Sequence, residues 1–169
     1  MCIRDRTINL TYDGGELALA ATRGNGETGE IILPQVKTIR SVPLSIPFKG
    51  KMEVQGEGIM RISEFERYNA GADEPLKNPR NGAAGALRNL DPKITASRHL
   101  DCFVYNIGYI EGGSFENSLE AMEFLKEQRL PVNPYFKCFD NMDDVIKELQ
   151  EIESRRQSLD FQIDGAVIK

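Results

Sequence analysis

A lysine at the end of an apolar stretch is the first candidate for chemistry in this sequence. Residues 163–169 read IDGAVIK, so an Asp-Gly pair is followed by apolar residues and then by Lys169. The pair is typical of a tight turn that leads into a β-strand, and alternation along that strand places Val167 and Lys169 on one face. A lysine on a packed face requires an anion, and a phosphate would serve. A solvated lysine at a strand edge is the plainer interpretation of this stretch alone.

Glu57 lies between two glycines in a second predicted strand, over residues 51–60. Alternation places Glu53, Gln55 and Glu57 together on one face of this strand. The glycines at 56 and 58 weaken a strand and mark a place where a ligand or another backbone comes close. A bulged edge strand with solvated carboxylates explains the same pattern.

Arg23 opens a glycine-rich loop, RGNGETGE, at residues 23–30. Such loops let backbone N–H groups approach a phosphate, but this one lacks the Gly-Lys-Ser/Thr ending of a P-loop and the spacing of a dinucleotide fingerprint. A simple turn is the plainer interpretation of this loop by itself. The Arg23 guanidinium is suited to stack on a base or to fork onto a phosphate.

Two further arginines share one face of a predicted helix. Asn78 is a good N-cap and Pro79 a good first residue for this helix, which contains several small residues. Arg80 and Arg88 are eight positions apart, close to two helical turns, and therefore project from about the same face. This spacing suits a phosphate backbone, although two solvated arginines explain it equally well.

The remaining elements are predicted from the spacing of apolar residues and from residues that are typical of turns and helix caps. Residues 7–12 alternate and lead through Asp-Gly-Gly into a return strand at 16–22, which predicts a hairpin. Ser63 is predicted to cap a short helix that ends near residue 70, with Glu66 as its capping-box partner. Residues 101–109 predict a buried strand, and residues 118–128 and 141–156 predict two amphipathic helices. In that strand we expect Phe103, Tyr105 and Ile107 to share a face.

Composition excludes several classes of protein. The chain has 169 residues and 40% hydrophobic content, which predicts one domain with its own core. The formal net charge is −5, so any contact with nucleic acid must come from a local basic patch. No apolar run approaches the roughly 20 residues of a membrane span, and no signal region follows the N-terminus, which predicts a soluble cytoplasmic protein.

The cysteine and histidine counts exclude further chemistry. Cys2, Cys102 and Cys138 are odd in number and far apart, so neither a disulfide framework nor a zinc site is indicated. His99 is the single histidine. We interpret it as a surface residue, which leaves little room for Ser-His or Cys-His catalysis.

Four segments together point to a family. They read ATRGNG at 21–26, EVQGE at 53–57, NPRN at 78–81 with Leu-Arg at 87–88, and DGAVIK at 164–169. In this order they resemble the adenylation domain of bacterial NAD-dependent DNA ligases over nearly all of residues 7–169. The resemblance implies an α+β nucleotidyltransferase (ATP-grasp-like ligase) fold, in which antiparallel sheets with flanking helices form a cleft for adenylate.

The resemblance also implies a reaction and its partners. In the family, a lysine takes AMP from NAD, AMP passes to the 5′-phosphate at a nick in double-stranded DNA, and the 3′-hydroxyl then displaces it. Magnesium assists these steps, which serve DNA replication and repair, and we expect a monomer. A positioned cation stabilises the charge that develops on the phosphoryl oxygens.

Seven residues of this chain match functional positions of the family. Glu57 would bind the ribose of the adenylate and Arg23 would pack at the adenosine. Lys169 would contact the phosphate, and Val167 would line the base pocket. The residues that we expect to engage phosphates around the nick are Arg80, Arg88 and Arg156.

The chain departs from the family at the nucleophile. The family's Lys-x-Asp-Gly motif would fall on residues 2–5, which read CIRD, and the first lysine of the chain is Lys37. We interpret residues 1–6 as a non-native leader and residues 7–169 as a partial adenylation domain, truncated at both ends. The isolated chain is therefore expected not to seal nicks. A binding module that keeps the adenylate pocket without catalysis is the second hypothesis, and another nucleotidyltransferase, disfavoured by the NPRN helix, is the third.

Overall fold

The fold is described by a computed structural model that covers residues 7–24 and 29–168. It begins with the predicted hairpin, in which β1 (Thr7–Asp13) pairs antiparallel with β2 (Glu16–Thr22). Gly14 and Gly15 form the turn with φ of 59° and 85°, a conformation that glycine adopts without a steric penalty. The hairpin prediction is confirmed.

Two more strands complete a four-stranded antiparallel sheet. β3 (Met52–Ile59) pairs with β1, and β4 (Asp101–Ile110) pairs with β3, so the strand order is β2-β1-β3-β4. The predicted combination of helices with an antiparallel sheet is confirmed. The finer assignment to the nucleotidyltransferase fold stays a prediction.

Helices flank this sheet. Among the described residues, four helices precede β4 in the chain and two follow it. Their bounds are α1 Leu33–Val36, α2 Ile62–Ala70, α3 Pro79–Arg88, α4 Pro92–Ser97, α5 Ser118–Glu127 and α6 Met142–Arg155, with a 3-10 turn at Arg156–Ser158. Asn78 caps α3 as predicted, since its side chain accepts a hydrogen bond from the Asn81 N–H.

The main hydrophobic core lies on one face of the sheet. β1 contributes Ile8, Leu10 and Tyr12 to it at alternate positions, as strand geometry requires. Ala83 and Ala86 of α3 are fully buried in this core, so the small residues let the helix pack closely. α3 therefore lies on the core side of the sheet.

A second apolar cluster lies at one end of the other face. It joins Ile59 of β3 and Phe103 of β4 to the segment after α6. The Phe103 and Phe161 rings have centroids 5.2 Å apart. This cluster fixes the course of the chain just before the IDGAVIK stretch.

The predicted cap of α2 is wrong. Arg61 is the N-cap and gives no side-chain cap bond, while Ser63 lies inside the first turn. The Ser63 N–H instead donates to the Asp160 carboxylate at 2.8 Å. A carboxylate accepts such a bond more strongly than a hydroxyl does, and a cap from a distant segment cannot be read from local sequence.

The predicted face of β4 is also wrong. Gln55 pairs with Asn106 but Gly56 pairs with Val104, so Tyr105 is an extra residue in a bulge. The bulge shifts the alternation: Val104 enters the main core, Phe103 faces the second cluster and Tyr105 is 38% exposed. A sequence period of two cannot reveal one inserted residue.

The strand predicted for the last residues is not formed over residues 166–168. These residues are irregular, and Val167 and Ile168 are 55% and 57% exposed. A strand exists only where a neighbouring strand accepts its ladder of hydrogen bonds, and alternation of side chains does not supply that neighbour. In the described part of the chain, no helix is long and apolar enough to cross a membrane.

Candidate functional site

The candidate site lies on the polar face of the sheet, opposite the main core. Strand pairing places Thr7 beside Glu57, Asn9 beside Gln55 and Thr11 beside Glu53. Its polar side chains are half-buried or exposed, apart from the buried Glu57, and Ile59 and Phe103 of the second apolar cluster are buried at one end of it. The Glu57 carboxylate is therefore shielded from bulk water at the floor of this polar surface.

Glu57 is the centre of this surface. It is only 8% exposed, and Thr7 Oγ1 donates a hydrogen bond of 2.8 Å to its Oε1. A buried carboxylate is stable only when hydrogen bonds satisfy it, so this contact helps to hold the side chain in one orientation. A fixed acceptor of this kind is suited to bind the hydroxyl groups of a sugar.

Arg23 lies at the same end of the sheet. Its N–H donates to the Thr7 carbonyl at 3.4 Å, so Arg23, Thr7 and Glu57 follow one another across three strands. The Arg23 side chain is exposed. The structure thus brings together two of the predicted site residues, a cation at the rim and a carboxylate at the floor.

Asn9 belongs to the candidate site but was not predicted from the sequence. Its Oδ1 atom is buried and accepts no hydrogen bond from the residues that the structure describes. Its partner across the strands, Gln55, accepts a hydrogen bond of 3.0 Å from Asn106 Nδ2. An acceptor left without a donor fits a ligand that carries hydroxyl or amino groups. The Thr-Asn-Thr alternation at 7, 9 and 11 was the sequence signal for this row.

The IDGAVIK stretch starts at the same end of the sheet. Phe161 and Ile163 are buried against Phe103, the residue that pairs with Glu57 in β4. The chain leaves the apolar cluster at Asp164, and Val167 follows as an exposed residue. Lys169 lies outside the described residues.

Two of the three predicted DNA-contacting arginines lie on the opposite side of the sheet from Glu57. Arg80 and Arg88 are exposed on α3, which packs on the core side of the sheet. Arg88 Nε lies 3.7 Å from the carboxylate of Glu30, the last residue of the glycine-rich loop. Arg156 is exposed at the start of the 3-10 turn that leads to the second cluster.

The nearby Cys102 is not a nucleophile. Burial raises the pKa of its thiol well above the ordinary value, and the negative charges of Asp101 and Glu57 raise it further. A thiol in this state stays protonated and unreactive at neutral pH.

The predicted surface position of His99 is confirmed, since its side chain is 48% exposed and lies 3.3 Å from Glu64.

A metal site made of protein side chains alone is not formed by residues 7–24 and 29–168. No three or more His, Cys, Asp or Glu side chains gather there in a way that would hold an ion. The arrangement that is present supplies acceptors at the floor and a cation at the rim. Such a set of groups suits a nucleotide: the acceptors take ribose and base donors, and the guanidinium is suited to stack on the base or to fork onto a phosphate.

Comparisons with known proteins identify the family of this chain. The NAD-dependent DNA ligase adenylation domain family matches residues 3–169. The chain is 56% identical over 163 residues to a DNA ligase of Alkaliphilus metalliredigens and 57% identical over 163 residues to one of Alkaliphilus oremlandii, covering 96% of this chain in both cases. It is 54% identical over 164 residues to a DNA ligase of Clostridium botulinum. The chain spans about a quarter of the length of these relatives, 25% in each case.

Proposed function

Because this chain belongs to the family of NAD-dependent DNA ligase adenylation domains, we propose that it forms the adenylate-binding core of such a ligase. In the whole enzyme the reaction joins a 5′-phosphate to a 3′-hydroxyl at a nick, with NAD as the donor of AMP. We assign this ligase to the replication and repair of DNA in the cytoplasm.

The observation that carries the proposal is the buried carboxylate of Glu57 on an otherwise open polar face. A buried charge lowers the stability of the fold unless hydrogen bonds compensate it. Buried ionisable groups are therefore often found at functional sites. Thr7 orients this carboxylate at 2.8 Å, and the unsatisfied Asn9 Oδ1 lies one pair further along the same strands. We propose that Glu57 accepts hydrogen bonds from the ribose of the adenylate.

The other predicted contacts complete the proposed pocket. Arg23, exposed across Thr7 from Glu57, packs at the adenosine. Val167 follows the segment that is packed beside Phe103, and we propose that it lines the base pocket. Lys169 contacts the phosphate of the adenylate and stabilises its charge.

Nicked double-stranded DNA is the proposed partner of the exposed arginines. Arg80 and Arg88 project from α3, and Arg156 projects from the 3-10 turn. With a formal net charge of −5, the chain can attract DNA only through such local cations. We propose that these three side chains contact the phosphates around the nick in a monomeric enzyme.

Magnesium belongs to the proposed reaction. Mg²⁺ in nucleotide enzymes is held by one or two carboxylates together with substrate phosphates. The described residues gather no larger set of metal-binding side chains. What this chain supplies is therefore orientation of the sugar by Glu57, packing at the adenosine by Arg23 and positive charge at the phosphate from Lys169.

The 169-residue chain is proposed not to form the covalent AMP adduct by itself. The family's nucleophile is a lysine upstream of the hairpin, and the first lysine here is Lys37. Incubation with NAD and Mg²⁺ followed by mass spectrometry is expected to show no added AMP. An AMP adduct on any residue would contradict this expectation and would also exclude the second hypothesis, a binding module of this fold without catalysis.

Calorimetric titration with AMP tests the proposal. Wild-type protein is expected to bind AMP, and Glu57→Gln is expected to weaken binding about tenfold or more, since a charged hydrogen-bond acceptor is lost. Glu53→Gln is the matched control, because Glu53 is on the same strand and face but is exposed beside Lys51. We expect this control to bind AMP as the wild type does.

Lys169→Gln extends the same titration to the end of the chain. Loss of a cation beside the phosphate is expected to weaken AMP binding, whereas Lys126→Gln, the same charge change on α5, leaves it unchanged. A folded wild-type chain that binds no AMP, or equal affinity in Glu57→Gln and Glu53→Gln, would contradict the proposed pocket.

A further inference from the structure

Asp160 joins two parts of the chain that are far apart in sequence. Its carbonyl oxygen accepts the Ile62 N–H at 2.9 Å, and its Oδ1 accepts the Ser63 N–H at 2.8 Å. Its Oδ2 accepts the Ser63 hydroxyl at 2.7 Å. The first turn of α2 has no cap from its own N-cap residue, so Asp160 provides that cap from 97 residues further along the chain.

Arg61 extends this junction to the sheet. Its Nε donates to Asp101 Oδ2 at 2.9 Å, at the first residue of β4. Its Nη1 lies 4.0 Å from Asp160 Oδ2. The start of α2, the start of β4 and the segment around Asp160 are therefore linked through charged groups.

Apolar packing holds the same segment from its other side. Leu159, Phe161 and Ile163 are 9%, 5% and 4% exposed and share the second cluster with Phe103. Side chains alternate in an extended segment, so Asp160 points away from this cluster while its neighbours point in. Register is thereby fixed, because a shift by one residue would expose Phe161 and bury a carboxylate.

Beyond Ile163 no described residue is buried, although Gly165 is half-buried and forms a β-bridge. Asp164 and residues 166–168 are exposed. Segment 159–163 is thus the last buried segment before the residues that the proposed pocket needs. Phe103, against which this segment packs, is the cross-strand partner of Glu57.

We propose that Asp160 is a positioning residue, which sets residues 164–168 beside the end of β3 that carries Glu57. The hold on residues 159–163 follows from the contacts above, the placement of residues 164–168 is what we infer from it, and the effect on AMP rests on the proposed function. Asp160 does not touch the adenylate. It acts by fixing where the chain begins its course toward Val167 and Lys169.

The test compares Asp160→Ala with Asn117→Ala. Asn117 caps α5 by accepting two backbone N–H groups, from Leu119 and Glu120, so its loss removes a cap of similar strength elsewhere. The two readouts are the ¹⁵N and ¹H amide shifts of residues 164–168 and the dissociation constant of AMP. A merely structural cap would move neither readout in a chain that remains folded.

Asp160→Ala is expected to move the amide signals of residues 164–168 toward random-coil positions and to weaken AMP binding about fivefold or more. Asn117→Ala is expected to leave both readouts unchanged. Asp160→Asn keeps a carbonyl acceptor for the Ser63 N–H and is expected to restore most of both. Ser63→Ala removes only the hydroxyl bond and gives a smaller shift in the same direction, which keeps the test valid should Asp160→Ala unfold.

Two results separate the inference from the proposed function. Asp160→Ala or Ser63→Ala that alters the signals of α2 but leaves residues 164–168 in place would overturn the positioning role. Wild-type protein that binds no AMP, while Asp160→Ala still displaces residues 164–168, would overturn the adenylate pocket and leave the positioning role confirmed.

Discussion

At the scale of single residues, the proposed adenylate pocket depends on the orientation of the Glu57 carboxylate. The carboxylate is buried, and Thr7 Oγ1 donates to it at 2.8 Å. A hydrogen bond to a charged group contributes about 1.5–3 kcal/mol when the charge is shielded from water. Thr7 therefore contributes both to stability and to the direction in which Glu57 presents its oxygens.

Thr7→Val tests this contact with almost no change in shape. We expect a loss of about 1–3 kcal/mol in the free energy of unfolding, measured in urea, and weaker AMP binding in calorimetry. Thr11→Val on the same strand and face is the control, because Thr11 is paired with the exposed Glu53. Equal losses in the two variants would mean that Thr7 has no special role.

Cys102 gives a prediction for pH. Burial raises the pKa of its thiol in the folded protein, so the folded state keeps a proton that the unfolded chain releases above about pH 8.5. Stability from this group is complete below that pH and falls as pH rises, by about 1.4 kcal/mol for each unit.

Urea unfolding at pH 8 and pH 10 measures this loss. Cys102→Ala removes the titrating group, so the fall between the two pH values is expected to be smaller in this variant than in the wild type. Cys138→Ala is the matched control, since Cys138 is exposed. A fall that is as large in Cys102→Ala as in Cys138→Ala would contradict the assignment.

At the scale of elements, local signals predicted what local forces determine. The hairpin follows from Asp-Gly-Gly between alternating segments, and α3 follows from Asn78 and Pro79. Both depend on residues close together in the chain. The cap of α2 depends on Asp160 and was therefore assigned wrongly to Ser63.

Glycine 56 shows how closely two elements approach. The prediction that a ligand or another backbone comes close to this glycine is confirmed for the backbone. A Cβ at position 56 would lie 2.8 Å from the Phe103 carbonyl oxygen and 3.2 Å from Cys102 Sγ. Because a paired strand cannot move aside easily, a methyl group here strains the contact between β3 and β4.

Gly56→Ala is expected to lower the free energy of unfolding by about 1–3 kcal/mol in urea denaturation. Gly82→Ala is the matched change in α3, where the new Cβ would meet the flexible ends of Met60 and Leu76. The gain of about 1 kcal/mol in helix propensity offsets that contact, so we expect a much smaller loss. A greater loss in Gly82→Ala would contradict this description of the two contacts.

At the scale of the whole molecule, the proposed binding of DNA depends on a few cations because the net charge is negative. Arg88 is held 3.7 Å from Glu30, an exposed pair that contributes at most about 1 kcal/mol and that a phosphate can replace. We expect Arg88→Gln to weaken binding to a nicked duplex and to reduce the slope of affinity against salt by about one. Fluorescence anisotropy over a range of salt concentrations measures both.

Glu30→Gln gives the opposite expectation. Loss of the competing carboxylate frees Arg88, so affinity for the nicked duplex is expected to rise by up to about fivefold. Lys126→Gln on α5 is the control for a change of charge far from α3. If Arg88→Gln and Lys126→Gln weaken binding equally, α3 is not part of the DNA interface.

Only part of the candidate site could be predicted from the sequence, because strand pairing brings its residues together. The motifs identified Arg23 and Glu57, which the hairpin register and the β1-β3 pairing then brought to one end of the sheet. Asn9 was missed because its importance comes from an unsatisfied atom, which only packing reveals. The strand predicted for residues 166–168 failed because its apolar residues indicate burial but cannot name a pairing partner.

The proposed adenylate pocket is tested most simply by titrating the uniformly ¹⁵N-labelled chain with AMP and measuring the amide chemical shifts. We expect saturable shifts at Thr7, Asn9, Arg23 and Glu57 and in residues 164–168, while α5 and α6 stay unchanged. A folded chain whose signals do not respond, or respond only in α5 and α6, would contradict an adenylate pocket on the polar face of the sheet.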